Sequence, residues 1–88
     1  MNMKLIKITA SWCMSCIIMN DTLDNVLKDV FLEDIISYDY DMDNNVIDKY
    51  HVGVVLPVYI LVNNDREVRR IVGEKSRQEL LEFFKGDD

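Results

Sequence analysis

Apolar residues change their spacing several times along the chain, and each change predicts an element. Met3 to Ala10, "MKLIKITA", carries Leu5, Ile6 and Ile8, with Lys4 and Lys7 interrupting a clean alternation, and reads as a first strand. From about Met14 to Phe31 the period becomes helical. Leu23, Val26, Leu27 and Val30 fall on one face, and Asp21, Asp24, Asn25, Lys28 and Asp29 on the other. Asp34 to Asp39, "DIISYD", is short and β-branched, a second strand. The segment "DMDNNVIDKYHVG" opens with N-cap residues, offers Val46, Ile47 and Tyr50 as one helical face, and meets Gly53 soon after. Residues 54–62, "VVLPVYILV", are continuously apolar, which predicts a strand buried on both faces. Pro57 lacks a ladder donor, so it belongs at that strand's start or beside a break. "NNDR" at 63–66 signals a turn, and "EVRRIVG" at 67–73 returns as the second arm of a β-hairpin. Ser76 and Glu79 then form a capping box ahead of Leu80, Leu81, Phe83 and Phe84, the face of a last helix.

The order β-α-β-α-β-β-α predicts an α/β fold. The first two strands, joined through a helix, should be parallel with a right-handed crossover, and the closing hairpin adds an antiparallel edge. A four-stranded mixed sheet with helices on both faces is the economical arrangement. At 88 residues, the chain is expected to form a single domain over 1–88.

Composition narrows the function classes. The chain is 49% hydrophobic and 30% charged, ordinary for a globular protein. No apolar run reaches the length of a membrane span, and "MNMKLIKITA" does not look like a secretory signal, because Lys4 and Lys7 interrupt it. The expected location is cytoplasmic, with no membrane partner. A net charge of −6 disfavours nucleic-acid binding, which needs a basic surface. Nothing in the pattern suggests a dimer face, so a monomer is expected.

The only two cysteines, Cys13 and Cys16, lie in "SWCMSC" where the first strand gives way to the first helix. Three readings compete: a redox pair, part of a metal site, or two inert buried thiols. Residues three apart share a helix face, so the sulfurs can reach bonding distance. A helix N-terminus has unpaired amides and a dipole that favours negative charge, which would stabilise a thiolate at Cys13. Cys16, one turn inside, suits the resolving role. Two cysteines cannot complete a tetrahedral zinc site, and the one histidine, His51, is remote, so no metal is expected. The strand-to-helix position favours the redox pair over inert thiols.

The stretch Ala10-Ser11-Trp12-Cys13-Met14-Ser15-Cys16 resembles the active site of the thioredoxin family. "YDYDMDNN", Pro57 within "VVLPVYILV", and Gly73 after "RRIV" resemble further features of that family in order and spacing. The chain is similar to a thioredoxin trimmed at its N-terminus to a glutaredoxin-sized core. The resemblance implies a thioredoxin-like fold and a thiol:disulfide oxidoreductase that reduces protein disulfides. It implies Cys13 as nucleophile, Cys16 as resolving thiol, and a redox-active Cys13–Cys16 disulfide. It implies that Pro57 is cis at the head of its strand, that Leu56 offers backbone groups to an extended substrate, and that Trp12 shields the thiol and packs on substrate. The implied partners are disulfide-containing proteins and a thioredoxin-reductase-like electron donor using NADPH. Bound cofactors are not expected. Glutathione fits less well as reductant, since neither C-P-Y-C nor a Gly-Gly pair occurs.

Some positions depart from the family. Met14-Ser15 stands between the cysteines where Gly-Pro is usual, and the Ser15 hydroxyl is placed to stabilise a Cys13 thiolate. Lys7 stands where the family keeps a buried aspartate; its charge would tune a nearby thiol, unless it only reaches out to solvent. One extra residue between Tyr50 and Pro57 is expected to distort the loop carrying His51. Asp39, Asp41 and Asp43 alternate as in a calcium loop but lack its glycine and glutamate, so strand-end and capping duty is expected. The alternative function is a binding module or redox sensor on the same fold, with no turnover.

Overall fold

The computed structural model describes residues 3–86. Along the chain run β1 (Met3–Thr9), α1 (Met14–Val26), β2 (Asp34–Asp39), α2 (Asn44–Lys49), β3 (Val58–Asn63), β4 (Arg66–Val72) and α3 (Arg77–Lys85). This is the order that the hydrophobic spacing predicts. The four strands form one sheet in the order β2-β1-β3-β4. β1 pairs parallel with β2 and antiparallel with β3, and β3 pairs antiparallel with β4. The sheet is therefore mixed, as the β-α-β start and the closing hairpin require.

Strand alternation divides the core into two layers. Ile6 and Ile8 of β1, with Val58, Ile60 and Val62 of β3, bury one face together with Tyr38, Tyr40, Val46, Ile47 and Tyr50. Leu5 of β1, with Tyr59 and Leu61 of β3, buries the other against Met19, Leu23 and Val26 of α1 and Leu80 and Phe83 of α3. Five consecutive residues of β3 are buried, Val58 to Val62, because both faces of this central strand are covered. Each such side chain, fully buried, contributes roughly 1.5–3 kcal/mol over leaving it in water.

The structure corrects three boundaries. α1 ends at Val26, not near Phe31. Lys28 donates to the Asn25 carbonyl and Asp29 to that of Val26, three-residue bonds that close the helix in a tight turn. Leu27 and Val30 still pack on the core, so their helical spacing reflects burial and not helix. β3 begins at Val58 rather than Val54. The first four residues of the apolar run form a loop, with Val54 and Val55 exposed and the Leu56–Pro57 peptide cis. β4 starts one residue early, at Arg66. Asn64 and Asp65 alone turn the hairpin, with φ of 53° and 65°, the left-handed pair that matches the twist of antiparallel strands. Between Leu61 and Val62 the β3–β4 register shifts at a bulge.

The last helix starts as its sequence predicts. Ser76 Oγ accepts from the Glu79 N–H at 3.1 Å, and Glu79 Oε1 accepts from the Ser76 N–H at 3.0 Å. The helix ends on Gly86 at φ 67°. α2 differs: its N-cap, Asp43, makes no side-chain bond to that helix and instead accepts from the Asp39 N–H at 2.7 Å.

Candidate functional site

β1 delivers the chain to Ala10, whose carbonyl accepts from the Cys13 N–H at 3.1 Å. This turn places Cys13 at the N-cap of α1 in extended conformation, φ −94° and ψ 105°. An N-cap side chain normally supplies an oxygen to the orphan amides of the first turn. Here sulfur takes that place: the Cys16 N–H donates to Cys13 Sγ at 3.1 Å. The geometry is the one that would hold a Cys13 thiolate, with an amide pointed at it and the helix dipole behind it. The Cys13 and Cys16 sulfurs are joined in a disulfide, with Cα atoms 5.3 Å apart.

Both cysteines are buried, Cys13 at 7% exposure and Cys16 at 4%. The sequence reading makes Cys13 the more accessible of the two; in the disulfide form that margin is small. The Ser15 hydroxyl has no hydrogen bond to Cys13 among those described, and the backbone amide of Cys16 takes the part expected of it. A backbone donor is fixed by the helix itself, whereas a side chain in that turn must give up rotamer freedom to reach back.

Trp12 stands beside the pair and is 61% exposed. Its indole Nε1 donates to Asp41 Oδ2 at 2.7 Å, and its ring meets Tyr40 edge-on at 6.4 Å. Asp41 is held in turn by Asp39, whose Oδ1 accepts from the N–H groups of Asp41 at 2.8 Å and Met42 at 3.1 Å. The alternating aspartates thus form a turn that ties Trp12 to the end of β2. Among the described residues no group of three or more histidine, cysteine or acidic side chains is placed to hold a metal ion. Sequence reasoning assigned these aspartates to strand-end duty but missed the bond from Asp41 to Trp12, since 29 residues separate the partners.

The strand order brings the loop before β3 to the same end of the sheet. Leu56 is buried in one cluster with Ala10, Cys13 and Cys16, and Pro57 is buried beside it. The Pro57 carbonyl accepts from the Gly73 N–H at 2.8 Å. Gly73 has φ 88°, and a Cβ there would meet Val55 Cγ1 at 3.5 Å. Among the described hydrogen bonds, the Leu56 N–H and C=O have no partner. His51 lies apart on an exposed loop at φ 52°, in the left-handed region.

Lys7 reaches the site from behind. Ile6 and Ile8 face the α2 side, so the alternation of β1 turns Lys7 under α1. Its Nζ donates to Asn20 Oδ1 at 2.5 Å. An open cavity of about 310 Å³ is lined by Lys7, Thr9, Ala10, Cys16, Ile17, Asn20 and Asp21. Burial lowers the pKa of Lys7, and the charge of Asp24 opposes that shift. The structure therefore brings Lys7 and Cys16 to one cavity. Asn20 is a site residue that the sequence reading missed; it lies four residues after Cys16, on the same helix face, and that spacing was the available signal.

The residues 1–86 match the sequence profile of the thioredoxin family. No curated protein matches the chain. Among solved structures, thioredoxin-2 of the malaria parasite superposes with a TM-score of 0.83 at 22% identity, covering 98% of this chain and 84% of that one. Trxlp from Edwardsiella tarda gives 0.83 at 24% identity, covering 94% of this chain and 82% of that one. The thioredoxin of Fasciola hepatica gives 0.82 at 20% identity, covering 99% and 82%. At such identities the likeness is one of fold. Joined to a disulfide at C-x-x-C spacing, the family match supports thiol–disulfide oxidoreductase chemistry in general terms. From the sheet order, the capped cysteine pair and a profile spanning nearly every residue, it follows that the chain belongs to the thioredoxin family.

Proposed function

We propose that the protein reduces disulfides in other proteins by dithiol–disulfide exchange. The observation that carries this reading is Cys13 at the N-cap of α1, its sulfur accepting from an amide of the first turn. In the reduced protein the Cys13 thiolate attacks one sulfur of a substrate disulfide. A mixed disulfide forms, and the first substrate thiolate leaves. Cys16 then loses its proton and attacks Cys13 Sγ. The Cys13–Cys16 disulfide forms, the second substrate thiolate leaves, and two electrons have passed to the substrate. A reductase drawing on NADPH resets the pair; glutathione is the less suited donor. The unpartnered backbone groups of Leu56, with buried Pro57, support binding of an extended substrate segment alongside the cysteines. Trp12, exposed beside Cys13 and tied to Asp41, offers its ring to the same segment. Lys7 tunes the exchange from the cavity it shares with Cys16, favouring the thiolate that performs resolution. The setting is a reducing cytoplasm, and the working form is a monomer.

The test is turnover of a disulfide-bonded model protein with a dithiol as reductant. The wild-type chain reduces it catalytically, Cys13→Ser has no activity, and Cys16→Ser stops as a trapped mixed disulfide. Normal turnover by Cys13→Ser would overturn the mechanism. An inert pair with an ordinary thiol titration would leave a binding module or redox sensor in its place.

A further inference from the structure

We infer that the surface around the cysteine pair docks a cationic segment of its partner, one with an apolar residue next to its cystine and lysine or arginine flanking it. The inference deepens the proposed reduction of protein disulfides and rests on it. Exposed large apolar side chains gather at this end of the molecule. Trp12, Met14 and Ile17 surround the cysteines on the α1 side. Val54 and Val55 stand just before Leu56, which is packed in one cluster with both cysteines. Apolar surface gathered at one site marks a docking face.

Charge decides what that face accepts. Carboxylates border it on each side. Asp41 is bonded to Trp12, and Asp39 and Asp43 belong to the same turn. Asp21 lines the cavity next to Ile17, and Glu74 follows the glycine bonded to Pro57. The described cations are mostly engaged elsewhere. Lys4 pairs with Glu33, Arg70 with Glu67, and Arg77 with Asp29. Arg69 donates to the Phe83 carbonyl, and Lys49 lies over the Tyr50 ring. Lys7 is at the rim's cavity, but its Nζ is turned inward onto Asn20. Lys75 adjoins Glu74, leaving the border negative on balance. An apolar face bordered by carboxylates attracts a positively flanked partner and repels a negatively flanked one, at a rate that salt weakens.

Trp12 is the single tryptophan of the chain and stands on this face, so its fluorescence reports occupancy directly. The experiment uses three peptides with one shared apolar centre, serine in place of cysteine, and flanks of lysine, glutamine or glutamate. Each is titrated into the oxidised protein, with calorimetry as a second readout. The lysine-flanked peptide is expected to bind about 10-fold tighter than the glutamate-flanked one at low ionic strength, a gap that closes in about 1 M salt, where charges are screened within about 3 Å. In the Asp21→Asn, Glu74→Gln double variant the gap narrows. Equal affinities, a gap indifferent to salt, or no binding by any of the three overturns the inference. Turnover of matching cystine peptides separates it from the reading beneath it. Reduction without charge preference sinks only the docking inference, and charge-selective binding without reduction sinks only the proposed activity.

Discussion

Replacing Lys7 by glutamine tests whether the cavity behind Cys16 takes part in the chemistry. The substitution removes one positive charge while keeping a polar chain of similar reach. Its effect can be scaled from the place of the Lys7 ammonium. Nζ is hydrogen-bonded to Asn20, one helical turn from Cys16, which sets the two charges roughly 6–8 Å apart, and two unit charges about 8 Å apart attract by about 2 kcal/mol at an effective dielectric constant of about 20. That energy corresponds to roughly 30-fold in the fraction of Cys16 present as thiolate at neutral pH. The cavity is open to water, so screening brings the expected effect to roughly 5- to 30-fold.

Single-turnover kinetics isolates the step. Reduced protein is mixed with a disulfide substrate between pH 5 and 9, and the two phases are followed separately. Cys16→Ser defines the first phase alone. In Lys7→Gln the first phase, attack by Cys13, stays within about twofold, while resolution slows by the factor above. The deficit shrinks as the pH rises and Cys16 ionises unaided. Lys7→Arg, which keeps the charge, restores most of the rate. Asp24→Asn has a different signature. Asp24 raises the pKa of Lys7 against the stronger effect of burial, so its loss lowers that pKa further and shifts the pH dependence of resolution downwards. If all three variants resolve at the wild-type rate with the wild-type pH profile, Lys7 is a surface lysine with a buried stem and nothing more.

Other consequences concern stability. Tyr59 is buried with its hydroxyl unpartnered among the described residues, and an unmet buried polar group costs about 1–3 kcal/mol. Tyr59→Phe should raise the melting temperature by several degrees, about 4–8 °C for each kcal/mol recovered in a domain this small; a lower melting temperature refutes the orphaned hydroxyl. Ser76→Ala removes half of the capping box and should cost about 1 kcal/mol in urea denaturation. The hydrogen bonds from Ser76 hold the Glu79 carboxyl below 4.5, so their contribution is complete above that value and is lost as the pH falls through the folded one. The Ser76 N–H that makes the larger of these bonds survives in Ser76→Ala, so the test is Glu79→Gln, which should flatten the acid side of the stability profile; an unchanged profile would refute the assignment. For Lys7 the slope has the same sign but the shift is a cost of burying the charge: burial holds its pKa below 10.5, so between the folded value and 10.5 the unfolded chain binds more protons and stability rises with pH. Lys7→Gln should remove that rise from alkaline denaturation curves; a rise of unchanged size contradicts it.

How much of this was legible beforehand depended on how far apart in sequence the deciding partners lie. The capping box of α3 and the two-residue hairpin turn are local, and each was marked by its own residues. The end of α1 was not, because Leu27 and Val30 keep the helical spacing of buried residues after the backbone has turned away. The run 54–62 misled in the same way. Val54 and Val55 look like strand residues, yet they precede a cis peptide and lie exposed at the site. Apolar pattern records burial on folding or on binding, and it does not distinguish the two.

The cysteine pair shows the other half of that limit. Spacing alone set Cys13 and Cys16 within reach, because residues i and i+3 meet on any helix. What surrounds them was assembled by topology. Leu56 arrives from a loop 40 positions later because β3 lies next to β1 in the sheet. Lys7 arrives because β1 alternation turns it under α1, where Asn20 stands one turn beyond Cys16. Each half of that contact obeys a simple periodicity, two for the strand and 3.6 for the helix. The contact itself depends on how α1 is phased over β1, which Met19, Leu23 and Val26 set by burying against Leu5 and Tyr59. The environment of the resolving thiol is thus fixed by core packing on the face it overlies. Enlarging or truncating Met19 should therefore alter Lys7 and Cys16 together, through the angle of the helix that carries one past the other.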